Sequence, residues 1–101
     1  MSKIVAVLGA GSFGTAISQL LAGNGYIVNL WDHDAEVIQA MNDSRENKKY
    51  APGIPLHANI QPVSDLAQAA CNVQYIFEAI PVAHLRSVLE QARSCARVDQ
   101  V

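Results

Sequence analysis

The chain opens on KIVAVL, residues 3–8, an almost wholly apolar run with no alternation. A short run of this kind suits a central strand of a parallel sheet, buried on both faces. Residues 12–24 then follow a helical pattern, with Ala16, Leu20 and Leu21 on one side and Asn24-Gly25 as the stop. A second strand is predicted at 27–31. Asp34 can cap a following helix that carries Val37, Ile38 and Met41. The stretch SRENKKYAPGIPLH, residues 44–57, breaks the pattern, because Pro52, Gly53 and Pro55 argue against a long helix or a central strand. Residues 59–63 predict a short strand that Pro62 makes irregular or peripheral. SDLAQAA predicts a short helix from Ser64, VQYIFEAI a fourth strand stopped by Pro81, and AHLRSVLEQARSCA a third clear helix. Strands alternating with helices imply an α/β fold, a Rossmann-type doubly wound parallel sheet. By that alternation another strand is due near Val101, so residues 1–101 are expected to be the N-terminal part of a larger dinucleotide-binding domain.

Between the first strand and the first helix lie three glycines spaced G-x-G-x-x-G: Gly9, Gly11 and Gly14. Gly9 can adopt turn angles closed to other residues. Gly11 leaves the backbone bare to a ligand, and Gly14 allows the helix to approach the strand. The helix start would then direct unpaired N–H groups and a partial positive charge at the gap, which suits a pyrophosphate. A glycine-rich turn alone is weak evidence, but here it follows a strand, opens a helix and is joined by Asp32. That residue ends the next strand, 18 residues after Gly14, close to the roughly 20 expected of a carboxylate that accepts a ribose 2′-hydroxyl. The alternative is a helix-capping or surface aspartate. His33 can stack on or bond the adenosine ribose, or meet a 2′-phosphate, against the reading of an exposed loop histidine. Tyr50 can reach the adenine side or simply anchor its loop. Pro81 ends the fourth strand beside the expected switch point, where the backbone of residues 80–82 should line the nicotinamide half.

Composition narrows the function classes. Half of the 101 residues are hydrophobic, 16% are charged and the net charge is −2, which fits a domain with a core and gives no basic face for nucleic acid. Lys48-Lys49 reads as a solvated loop. No apolar run reaches the roughly 20 residues of a membrane span, and no secretory leader is visible, so a cytoplasmic protein is expected. Cys71 and Cys95 are far apart and read as small buried or half-buried side chains in a reducing compartment. No spacing supports a metal site.

The strings GAGSFGTA, NGYIVNLWDHD, RENKKYAPG and AIPVAHLR resemble the N-terminal segment of bacterial NAD(P)-dependent glycerol-3-phosphate dehydrogenase. The resemblance covers essentially the whole chain. Its most specific mark is R-x-N-x-x-Y-x-P-G at Arg45, Asn47, Tyr50, Pro52 and Gly53, joined by Ser12, Phe13 and the Leu30-Trp31 pair. It implies reduction of dihydroxyacetone phosphate to sn-glycerol 3-phosphate, a phospholipid precursor, with NAD or NADP as cofactor. It implies cofactor contacts at Ser12, Phe13 and His33, with Tyr50 beside them. It also implies a helical C-terminal domain, absent from these 101 residues, that carries the catalytic lysine and most of the substrate site. No catalytic residue is therefore expected in this chain. The expected partner is the small-molecule substrate, with no nucleic acid; a homodimer is allowed, although the sequence does not itself give the oligomeric state. Two positions depart from the family: Asp32, where many members carry glycine or a basic residue, and Val82, where serine is commoner. The first favours NAD over NADP. Competing readings are an NAD(H)-binding sensor that gates a regulator, or a related dehydrogenase acting on a sugar nucleotide, a 3-hydroxyacyl thioester or a sugar-acid phosphate.

Overall fold

The structure, a computed structural model, describes residues 3–71 and 73–79. Its order is β1 (Ile4–Leu8), α1 (Ser12–Gly23), β2 (Ile27–Trp31), α2 (Ala35–Ser44), β3 (Glu46–Asn47), β4 (Ala51–Pro55), β5 (Ile60–Val63), α3 (Leu66–Ala70) and β6 (Tyr75–Glu78). Four strands form one parallel sheet in the order β5-β2-β1-β6, and β3 and β4 form a separate antiparallel pair. The expected helix at residues 83–96, together with Pro81 and Cys95, lies outside the described residues.

The apolar run of β1 folds as a central strand because both of its faces are covered. Val5 and Val7 pack with Val28 and Leu30 against Ala22 of α1 and Val37, Ile38 and Met41 of α2. Ala6 and Leu8 face the other way, with Trp31, towards Leu66, Ala69 and Ala70 of α3. The sheet therefore carries α1 and α2 on one face and α3 on the other. The chain steps outward from β1 to β2 to β5, then returns across the sheet to β6 on the far side of β1. The strand order reverses between β1 and β6, and their carboxyl ends mark the crevice where such sheets bind ligands.

Pro62 sits on the edge strand β5, opposite Leu30, where its missing N–H costs no ladder bond. Asp34 caps α2 as expected, its Oδ1 accepting from the Glu36 N–H at 3.0 Å, and Asp65 caps α3 through the Ala67 N–H at 3.1 Å. Two expectations are corrected, and one element goes beyond what the sequence predicts. The buried face of α1 is Gly14, Thr15, Ser18 and Ala22, whereas Ala16 is exposed and Leu20 is 65% exposed. Residues 44–57 contain a short hairpin, β3–β4, that the Pro and Gly content concealed. Cys71, half-buried after α3, is disulfide-bonded and is not a separate thiol.

The small face of α1 follows from its distance to the sheet. A β-carbon on residue 14 would lie 1.8 Å from the Gly9 carbonyl oxygen, so no side chain fits and the backbone would have to move. Gly14→Ala is expected to cost about 3 kcal/mol or more, at the upper end of overpacking effects. Thermal and urea denaturation of the protein carrying this segment checks it, and a loss under about 1 kcal/mol would mean that helix and turn separate freely.

Candidate functional site

The turn from β1 to α1 is built around Gly9, whose φ of 114° lies in the region that favours glycine. Its N–H still belongs to the sheet and donates to the Trp31 carbonyl at 2.7 Å. The next residue leaves the sheet, and its two backbone polar groups are taken by side chains from elsewhere. The Ala10 N–H donates to Asp32 Oδ1 at 2.9 Å, and the Ala10 carbonyl accepts from Asn47 Nδ2 at 2.8 Å. Both side chains are buried, Asn47 with 1% exposure.

Gly11 follows as the N-cap of α1, with φ −74° and ψ −169°. Any residue can adopt these angles. A β-carbon built there meets nothing within 4 Å. Neither backbone geometry nor packing within the described residues requires glycine at this position. The bare backbone faces open space, which is what close approach of a ligand needs. α1 also has no side-chain cap, unlike α2 and α3, so its first turn keeps its N–H groups and partial positive charge available to an anion.

A cleft of about 370 Å³ opens at this point. It is lined by Gly9, Gly11, Ser12 and Phe13 of the glycine turn and the start of α1, by Asp32, His33 and Asp34 after β2, by Lys49 and Tyr50 between β3 and β4, and by Ala79 beyond β6. The Ala79 N–H donates to the Leu8 carbonyl at 2.8 Å, which places Ala79 at the strand-order reversal. Eight sequence-expected residues thus gather at one site, seven lining the cleft and Gly14 beneath it. Pro81 lies outside the described residues.

Asp32 does not fit the alternative reading of a helix-capping or surface aspartate. It is neither a surface residue nor the helix cap, which is Asp34. Its Oδ1 holds Ala10, and its Oδ2 accepts from the Asp34 N–H at 3.0 Å, so it braces the glycine turn against the β2–α2 turn. A carboxylate offers about four acceptor positions, and these two bonds leave about two for donors in the cleft. His33 is largely exposed, its Nδ1 3.6 Å from Asp32 Oδ2. Phe13 is 68% exposed and lines the cleft. Tyr50 is fixed through its main chain, its carbonyl accepting from Ser12 Oγ at 3.1 Å. Sequence reasoning missed Lys49, read as a solvated loop residue. It lines the cleft with its Nζ 5.3 Å from the Tyr50 ring centroid. It also assigned no role to Asn47, although the motif string contains it.

Residues 4–101 match the family described as NAD-dependent glycerol-3-phosphate dehydrogenase N-terminus. Glycerol-3-phosphate dehydrogenase [NAD(P)+] of Bacillus velezensis is 46% identical over 90 residues, 89% of this chain and 26% of the relative. That of Pseudomonas aeruginosa strain LESB58 is 46% identical over 97 residues, 96% of this chain and 28% of the relative. The chain thus spans about a quarter of the length of these relatives. Among solved structures, glycerol-3-phosphate dehydrogenase from Coxiella burnetii superposes with a TM-score of 0.93 at 26% identity, over 98% of this chain and 30% of that one.

The openness at Gly11 generates a direct test. Gly11→Val is expected to keep the fold, since valine tolerates the backbone angles and meets nothing nearby, yet to abolish dinucleotide binding by filling the cradle. Cofactor titration beside circular dichroism reads both. Unchanged affinity in a folded variant would show that no ligand approaches this backbone.

Proposed function

Because the chain belongs to the N-terminal family of NAD-dependent glycerol-3-phosphate dehydrogenases, we propose that it is the cofactor-binding part of an enzyme that reduces dihydroxyacetone phosphate to sn-glycerol 3-phosphate. The observation that carries this reading is Gly11, a glycine open to the cleft with no cause inside the described chain. The bare Gly11 backbone and the uncapped start of α1 would hold the pyrophosphate, with Ser12 and Phe13 beside it. Asp32 would accept from the adenosine ribose, and His33 and Tyr50 would flank the adenosine. Pro81 is assigned to the nicotinamide half from the sequence alone. The bound dinucleotide supplies hydride chemistry, and the chain's own residues bind it, orient it and set its charge environment.

Reduction of the carbonyl also needs a proton and a substrate phosphate site. No residue of this chain is assigned either task, and both belong to a helical C-terminal domain of the complete enzyme. The 101 residues taken alone are therefore expected to show no reduction of dihydroxyacetone phosphate in a purified assay, and measurable turnover would sink this division of labour. Action in the cytoplasm, in the service of phospholipid synthesis, completes the proposal on the grounds of sequence and family resemblance, and a homodimer is compatible with it. No helix among the described residues is long and apolar enough to cross a membrane.

Cofactor choice follows from Asp32. Its carboxylate would face the 2′-phosphate of NADP across a few ångströms. Like charges about 4 Å apart repel by roughly 1 kcal/mol in bulk water and about 4 at an intermediate dielectric. That is roughly a fivefold to thousandfold preference for NADH. The informative substitution is Asp32→Asn, because it removes the charge and keeps an acceptor for the Ala10 N–H; Asp32→Gly would also release the glycine turn. The complete enzyme is expected to favour NADH in kcat/KM, and Asp32→Asn to narrow the preference. Equal use of both cofactors by the wild type would mean that the carboxylate is turned away from the ribose.

A further inference from the structure

The hairpin beside the cleft is held by an unusual residue. Asn47 lies on a two-residue strand, yet it is almost wholly buried. Burying an amide side chain is unfavourable unless its polar atoms are paired. Here they are. Nδ2 donates to the Ala10 carbonyl and to Thr15 Oγ1, each at 2.8 Å, and Oδ1 accepts from the Tyr50 N–H at 3.3 Å. Thr15 is itself buried on the sheet-facing side of α1. One side chain thus joins the glycine turn, the first helix and the hairpin.

The consequence falls on Tyr50. Its N–H is held by Asn47 and its carbonyl by Ser12 Oγ, so both main-chain polar groups of this cleft residue are fixed by the glycine turn and its surroundings. The exposed ties further along, Gln19 Nε2 to the Pro55 carbonyl and the His57 N–H to Gln19 Oε1, hold the far end of the hairpin and do not reach the cleft.

We propose that Asn47 is a positioning residue for the dinucleotide: by fixing the Tyr50 main chain against the glycine turn it sets the part of the cleft lining that would flank the adenosine. The proposal rests on the dinucleotide reading of the cleft. Asn47 touches no ligand in this account. It acts through Tyr50 and Ala10, so its removal should weaken binding of the cofactor and leave the chemical step alone.

The test uses the complete enzyme that carries this segment. Asn47→Ala is expected to raise the NADH dissociation constant, by calorimetry, and the KM for NADH about tenfold or more, as loss of two or three buried hydrogen bonds allows. At saturating NADH, kcat should stay within about twofold. A merely structural asparagine would lower the melting temperature and the active fraction, hence kcat, without moving the dissociation constant of the folded molecules. The second readout is a cycle with Tyr50→Ala. If Asn47 works through Tyr50, the double variant should bind NADH about as weakly as the worse single one, whereas independent roles multiply. If Asn47→Ala does not fold, Thr15→Val, which removes one acceptor of the same amide and nearly keeps the shape, is expected to show the KM shift in its place. An unchanged dissociation constant in the folded variant, or multiplicative losses in the cycle, would overturn the role of Asn47 while the dinucleotide reading stands. A wild-type enzyme that does not bind NADH would overturn both.

Discussion

Much of this structure depends on the contact between Gly14 and the carbonyl of Gly9. The space that a β-carbon at residue 14 would need is occupied by that carbonyl oxygen, so α1 begins closer to β1 than any side chain would permit. The close approach brings the start of α1 to the carboxyl end of β1, next to the point where the strand order reverses. It also determines what can pack behind it. Thr15, Ser18 and Ala22 complete the inner face, and Ser18 meets its hydroxyl's need within the helix by donating to the Gly14 carbonyl at 2.8 Å. A leucine on that face would push the helix away and spoil the geometry of the turn.

A turn this tight takes the chain out of the sheet before the helix can satisfy it. Ala10 is the residue caught between the two regimes, and a buried peptide group without partners is costly. Its partners come from far along the chain: Asp32, 22 residues later, and Asn47, 37 residues later. A charge-assisted bond holds one side and a neutral amide the other. Asp32 lines the cleft, and Asn47, itself buried, holds the main chain of Tyr50, which lines it too, so the side chains that satisfy one peptide also anchor two lining segments. Stability and site geometry share the same two bonds here, and a change to either residue will be felt in both.

The legibility of the chain divides along the same line. β1, β2, the Asp34 cap and the three glycines were readable because each is a local pattern with a local cause. Asp32 was readable as a functional position but not as a brace, since spacing shows where a carboxylate falls and not which N–H groups it meets. The inner face of α1 was misread because hydrophobicity ordinarily marks burial, while here the limiting quantity is distance and small polar residues win. The β3–β4 hairpin was hidden for a different reason. Its strands are too short for a period to show, and their pairing carries a register shift between Glu46 and Asn47. Arg45 adds to the ties of Asn47 and Gln19: it lies in the left-handed region at φ 55°, and its guanidinium donates to the His57 and Ile60 carbonyls, each at 2.9 Å. Those bonds span the hairpin, and no window of the sequence reveals them.

The charges around the cleft are sorted in a way that the composition conceals. A net charge of −2 over 101 residues says nothing of the arrangement, yet the acidic groups Asp32 and Asp34 lie on the sheet side and Lys49 on the hairpin side. The uncapped start of α1 adds its partial positive charge. A molecule whose anionic middle lies over α1 and whose hydroxyl-bearing end turns towards β2 meets a favourable partner at each point, the anion at the helix start and the hydroxyls at Asp32. On the proposed reading the helix start would retain the anion, and Asp32 would take the hydroxyls of the sugar that lies at the end of β2, with the rest of the molecule running towards Ala79 and the carboxyl end of β6.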